Sequence, residues 1–212
     1  MKKTDLLFAL VVVLIFLPFV ISEQIYSFYL SFNAAHGMVM SFIKFGILAT
    51  MGELLGLRIS TGKYYFKGFG ILPHAMVWGL FGMWINLAFV VFSNGVPAFA
   101  SYLGVADPAG ILAGALTWQK VLLAFSISVI LNTSFGPVFM TLHKVTDAHI
   151  LNNGGTLRGL FRPIKMSEII QNLNWKVQWE FVFKKTIPFF WFPAHTLTFL
   201  LPGEQRILCA AC

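Results

Sequence analysis

Long apolar runs recur along this chain, and a run of about 20 mainly apolar residues is what a helix needs to cross a bilayer. Five stretches qualify: Leu6–Ile21, then about 37–57, 71–92, 121–142 and 187–212. Composition says the same, with 58% apolar and only 11% charged residues among 212 and a mean hydropathy of +0.78. Soluble domains average about 45–50% apolar and about 25% charged, so a single water-soluble domain is excluded. The expected fold is an all-α integral membrane domain over 1–212, a bundle of about five transmembrane helices with an amphipathic interfacial helix.

The first span follows Lys2, Lys3 and Asp5 and contains Pro18. A basic start before an apolar run is shared with secretory leaders, and here it reads as a retained anchor with cleavage as the alternative. Trp118-Gln119-Lys120 marks the interface before span four. The fifth stretch is interrupted by Pro188, Pro193 and Pro202, so it reads either as a kinked span or as a re-entrant piece followed by another helix. The chain stops at Cys212 without a polar tail, which points to a continuation.

Basic residues sort by loop. Lys2 and Lys3, then Arg58, Lys63 and Lys67, then Lys144, Arg158, Arg162, Lys165, Lys176, Lys184 and Lys185 fall on one side, while Ser22–His36 and Ser93–Trp118 carry no Lys or Arg. Lys and Arg stay on the cytoplasmic side, so the N-terminus is expected inside. The net charge of +7 is then topological charge that attracts anionic lipids at the cytoplasmic face, and not a nucleic-acid surface. A multi-pass protein of a bacterial inner membrane, or of an organelle membrane in a eukaryote, fits this pattern.

The one sizeable extramembrane region is 143–185, a cytoplasmic loop with Asn152-Asn153-Gly154-Gly155 at its centre. Residues 173–181 alternate apolar and polar with the period of a strand. Trp175 and Trp179 lie one helical turn apart and a lone strand has no sheet to join, so an amphipathic interfacial helix is expected.

Charges inside a bilayer are costly unless paired or wetted, which singles out Lys44 and Glu53 in span two. Nine residues apart, they face opposite sides of one helix and cannot pair with each other. Asn86 and Asn132 in spans three and four read as interhelical hydrogen-bond glue and Lys44 as a structural pair; if a pore exists, these three, at comparable depth, are its natural lining. Gly52-x-x-x-Gly56, with Gly46 and Ala49, and Gly79-x-x-Gly82 are spaced for close helix packing. Cys209-x-x-Cys212 lacks a second pair, and His143-x3-Asp147-x-His149 stands alone among five histidines, so no metal site is expected. His195 reads as structural. No nucleophile elbow, phosphate loop or dinucleotide fingerprint occurs, so neither an enzyme nor a cofactor is expected.

Several short motifs then recur in a familiar order. Asn174-Trp175, Phe189-Phe190-Trp191-Phe192-Pro193-Ala194-His195 and Leu201-Pro202-Gly203-Glu204-Gln205-Arg206 resemble the C-terminal signature of the Mpv-seventeen family of peroxisomal and inner mitochondrial membrane proteins. Met51-Gly52-Glu53, Gly82-x-Trp84 and Asn132 before Gly136-Pro137 resemble that family's earlier motifs. The chain departs from the pattern in having Phe192 for Trp, Leu131-Asn132 for Asp-Gln, a shorter step from Pro193 to Pro202 and an extra first span. The resemblance implies a small four-helix membrane protein connected with channel or pore function and metabolite homeostasis, with Trp84, Pro137, Trp175, Pro193, Pro202 and Arg206 as the matched positions.

Three functions follow as expectations. The first is a channel-like protein, as a monomer or a homo-oligomer, that passes small polar solutes. The second is a substrate-binding subunit of a membrane transporter, and the third is a structural membrane protein without transport.

Overall fold

A computed structural model describes residues 2–211, the side chain of Glu204 excepted. Among the described residues there are helices and no strand. In order they are α1 (Lys3–Ile21), α2 (Glu23–Ala35), α3 (Gly37–Thr61), α4 (Ile71–Tyr102), α5 (Pro108–Ala113), α6 (Trp118–Ser134), α7 (Gly136–Asn152), α8 (Leu157–Leu160), α9 (Met166–Asn172), α10 (Trp175–Val177), a π-helical segment (Gln178–Trp191), α11 (Phe192–Leu200) and α12 (Gly203–Ala211).

Three of these helices, α1, α3 and α4, are long and apolar enough to cross a bilayer, and α6 with α7 makes a fourth crossing if the bent pair counts as one. Among the described residues that gives three or four candidate crossings where five were expected. The stretch 187–212 is divided at Leu201–Pro202, and the helical run that enters it begins at Trp175 and carries Lys176, Glu180, Lys184 and Lys185. Span four is likewise two helices meeting at 47° at Phe135, where Pro137 lies in the first turn of α7 and can do without the amide hydrogen it lacks. Residues 143–152 are therefore helix, not loop.

Residues 22–36 also turn out helical. The Ser22 hydroxyl accepts a hydrogen bond from the Ile25 amide at 3.3 Å and caps α2. Of the alternating stretch 173–181, residues 175–181 are helical. Asn174 caps it by accepting from the Val177 amide at 3.1 Å.

The most extensive pairing is α3 on α4, followed by α11 on α6. Two glycines of α4 permit the first. A Cβ on Gly79 would lie 2.6 Å from the Phe42 ring, and one on Gly82 would lie 2.5 Å from the Ser41 carbonyl oxygen. On α3, Gly46 approaches the Ala75 carbonyl, at 3.0 Å from its would-be Cβ. Gly52 and Gly56, expected in the same packing stripe, face open space. Behind this seam lies an aromatic core of Phe45, Phe81, Phe89, Phe139 and Phe199 with Ile127 and Leu131.

One end of the bundle gathers the basic loops. There the connections after α3 and α7 touch backbone to backbone: Gly70, at φ +77°, leaves only 2.6 Å between a would-be Cβ and the Gly155 Cα. At the same end Arg58 of α3 grips Asp5 of α1 through two hydrogen bonds of 2.7 and 3.0 Å. The rest of α1 buries no residue, and its leucines and valines face outward.

Gly82→Ala is expected to destabilise by about 1–3 kcal/mol through overpacking, whereas Gly56→Ala should stabilise by about 0.5–1 kcal/mol. Thermal unfolding in detergent of both variants beside the wild type checks this.

Candidate functional site

A cavity of about 380 Å³ lies among α3, α4, α6, α7, α11 and α12. Its wall is mainly apolar, contributed by residues such as Phe45, Ile85, Phe89, Leu131 and Phe139. Polar groups enter it as two clusters. Glu53 and His143 belong to one, Asn132 and His195 to the other.

The first cluster spans three helices. Glu53 comes from α3, His74 from the first turn of α4, and His143 and Asp147 from successive turns of one face of α7. His143 Nε2 donates to Glu53 Oε1 at 2.9 Å and lies 3.3 Å from Asp147 Oδ1. His74 is buried, with Nδ1–H donated to the Gly70 carbonyl at 2.9 Å and its ring stacked on Phe69 at 4.5 Å. Its Nε2 faces Glu53 Oε2 at 3.8 Å and Asp147 Oδ1 at 3.7 Å. Glu53 Oε2 is shielded from solvent and makes no hydrogen bond; the indole of Trp78 lies beside it without hydrogen-bond geometry.

The second cluster joins α6 to α11. A hydrogen bond links the Asn132 amide to His195 Nδ1, with the Nδ2 and Oδ1 atoms at 2.9 and 3.1 Å. Asn132 Nδ2 also donates to the Ser128 carbonyl at 2.8 Å, and Ser128 Oγ donates to the Phe192 carbonyl at 2.8 Å. The π winding of Gln178–Trp191 ends one residue before that carbonyl and brings Trp191 to the cavity wall, where its buried indole nitrogen has no hydrogen-bond partner. π winding is rare, and its usual form, a single-turn bulge within an α-helix, is frequent at functional sites.

The expected pore lining does not assemble around one cavity. Lys44 is buried against α2, donating to Asn33 Oδ1 at 2.6 Å with its ammonium 5.2 Å from the centre of the Tyr29 ring. It lines a separate, smaller hollow of about 180 Å³ next to α1. Asn86 reaches Met38 Sδ at 3.5 Å across the α3–α4 seam, and of the three only Asn132 faces the central cavity. Lys44 and Glu53 do stand on different sides of α3, as their spacing requires.

The motif positions have structural tasks. Trp84 packs edge-on against Phe135 at 4.7 Å, beside the bend that Pro137 follows. Trp175 Nε1 donates to the Ile170 carbonyl at 2.9 Å, and Pro193 lies in the first turn of α11. Arg206 reaches back across the Pro202 break and donates to the carbonyls of Leu201 at 3.1 Å and Phe199 at 3.3 Å, satisfying the end of α11. Cys209 is exposed and 3.4 Å from Thr198 Oγ1, while Cys212 lies outside the described residues.

His143 and Asp147 share a face of α7, but His149 does not join them: its Nε2 bonds the Leu160 carbonyl at 3.1 Å. The partners that complete the cluster, Glu53 and His74, are 90 and 69 residues away from His143 in sequence, so the spacing within 143–149 gave no sign of them. The one available signal was that Glu53 and His74 both sit within apolar runs.

No family model matches the chain, and no curated protein or solved structure does.

Asn132→Leu is expected to cost about 1–3 kcal/mol, because it leaves the His195 ring nitrogen without its partner. The melting temperature in detergent should fall, and Asn86→Leu, whose contact is a single weak one to sulfur, should lower it less.

Proposed function

We propose that the chain is a small multi-pass membrane protein that takes up a small solute in the cavity between α3, α4, α6, α7 and α11 and moves it across the bilayer. The observation that carries this reading is the cavity itself, about 380 Å³ with an apolar wall and a polar cluster contributed at two places. Ligand sites are typically hollows of about 300–1,000 Å³ with just this mix of an apolar lining and a few convergent polar groups. Buried polar atoms of the lining lack a hydrogen-bond partner within the protein, namely the indole nitrogens of Trp78 and Trp191. Each such atom costs about 1–3 kcal/mol while unpaired, so a solute that bonds them recovers that loss.

The solute that fits has an apolar body and polar ends. An acceptor would meet the Trp191 indole, and a donor would meet Glu53. The exposed apolar surface of α1 and the long apolar helices α3 and α4 support a bilayer setting, and the basic loops support an N-terminus on the cytoplasmic side. The resemblance to the Mpv-seventeen family points to the same class of activity.

The test is solute flux through liposomes containing purified protein, with mass spectrometry of small molecules released from it on denaturation. Gly52 lines the cavity and a side chain there meets nothing within 4 Å, so Gly52→Leu should fill the space and leave the bundle folded. Loss of flux or of a bound solute in Gly52→Leu, at an unchanged melting temperature, is expected. Lys44→Leu should leave selectivity unchanged; a change there would move the path to the α1–α2 side. Absence of both flux and bound solute in folded wild type overturns the proposal.

A further inference from the structure

The His74–Glu53–Asp147 cluster has an arrangement that hydrogen bonding within the protein leaves incomplete. His74 Nδ1 gives its proton to the Gly70 carbonyl, which can only accept, so in the neutral ring Nε2 presents a lone pair. That lone pair faces two carboxylate oxygens at 3.7 and 3.8 Å, which are acceptors as well. Three acceptors aimed at one another in a largely buried place repel unless something positive sits among them.

The outer oxygens are already committed. Glu53 Oε1 accepts from His143, and Asp147 Oδ2 accepts from Lys144 Nζ at 3.0 Å. Each carboxylate is thus turned so that its remaining oxygen looks toward His74 Nε2, Asp147 Oδ1 lying also 3.3 Å from His143 Nε2. Donors behind the ligand atoms are the usual means by which proteins hold metal ligands in orientation, a histidine giving its other N–H to a backbone carbonyl above all.

We infer that Glu53, His74 and Asp147 bind a divalent first-row cation of the zinc type, with His143 as the residue that positions Glu53. The three donor atoms lie within 4.8 Å of one another. Tetrahedral ligands at zinc, with bonds of about 2.0–2.1 Å, stand about 3.3 Å apart, so the ion needs a contraction of about half an ångström along the His74 contacts. One imidazole and two carboxylates suit zinc, and three protein ligands leave a fourth position for water or solute, as in zinc sites that do more than hold a fold together. Glu53 belongs both to the cluster and to the cavity wall, so the ion sits beside the cavity. The inference does not depend on the transported solute.

The test uses the full chain, stripped with chelator in detergent and then given cobalt(II) or zinc(II) alone. One equivalent of metal per chain, a cobalt ligand-field spectrum of tetrahedral type and a rise in melting temperature with added zinc are expected. His74→Ala should abolish binding, and the near-isosteric Glu53→Gln and Asp147→Asn should weaken it at least about tenfold. His143→Phe should weaken it about 10–100-fold, the usual effect of removing an outer partner. His36→Ala, at an exposed histidine, should bind as wild type does, and Gly52→Leu should keep the metal while losing the solute. Binding that survives Glu53→Gln and Asp147→Asn, or a folded wild type that retains less than a tenth of an equivalent, overturns the inference and leaves a proton as the occupant.

Discussion

A carboxylate on an apolar helix has to find its counterpart inside the bundle, and Glu53 does so across two helix interfaces at once. Its oxygens meet His143 of α7 at 2.9 Å and face His74 of α4 at 3.8 Å. Truncating one partner of such a buried group leaves the other charge uncompensated, commonly at a cost of about 3–5 kcal/mol. The cluster therefore fixes the rotation of α3, α4 and α7 about their own axes, which apolar contacts alone specify weakly. The glycine contact behind it acts on the same residues, because Gly70 both abuts Gly155 and holds His74 by its carbonyl.

A second polar link, Asn132 with His195, does the same for α6 and α11 at another part of the cavity wall. The cavity thus lies among helices whose positions are set by polar pairs, with phenylalanines filling the remaining space. The end of α11 is treated in kind: Arg206 of α12 bonds its last carbonyls, so the Pro202 break leaves few backbone groups bare. The α1–α2 arm is attached differently, its polar links being Arg58 with Asp5 on α1 and Lys44 with Asn33 and Tyr29 on α2.

Helical class and the apolar runs were plain in the sequence, since a 3.6-residue winding is the only way an isolated apolar segment satisfies its backbone. Positions of helix ends were less so. Ser22–His36 reads as a loop because it is flanked by spans, yet Ser22 caps a helix there. The bend at Phe135 follows from Gly136-Pro137, which was visible, but its angle is set by packing. For the candidate site, the sequence put Glu53 inside span two near its end, able to snorkel or to meet Arg58, and Asn132 at the depth of Lys44; both line the cavity. It assigned Lys44 to the same lining, because depth along a helix says nothing about which neighbour a side chain faces, and Asn33 lay in a stretch read as a loop. The glycines teach a similar point. Gly79 and Gly82 are pressed against α3 while Gly52 and Gly56, with the cleaner four-residue spacing, meet nothing.

The dispersal of the Glu53 cluster along the chain bears on how the protein is made. Glu53 emerges from the ribosome 21 residues before His74, 90 before His143 and 94 before Asp147. For most of synthesis its carboxylate is a lone charge on an apolar helix, and a lone charge resists entry into hydrocarbon. Lys44 has no such wait, since Tyr29 and Asn33 precede it. The α1–α3 part can therefore settle early around Lys44 while the Glu53 end of α3 stays near the basic loops and water until α7 arrives. Docking of α3 on α7 then waits for two residues one helical turn apart, and α11 and α12 join the bundle only after them.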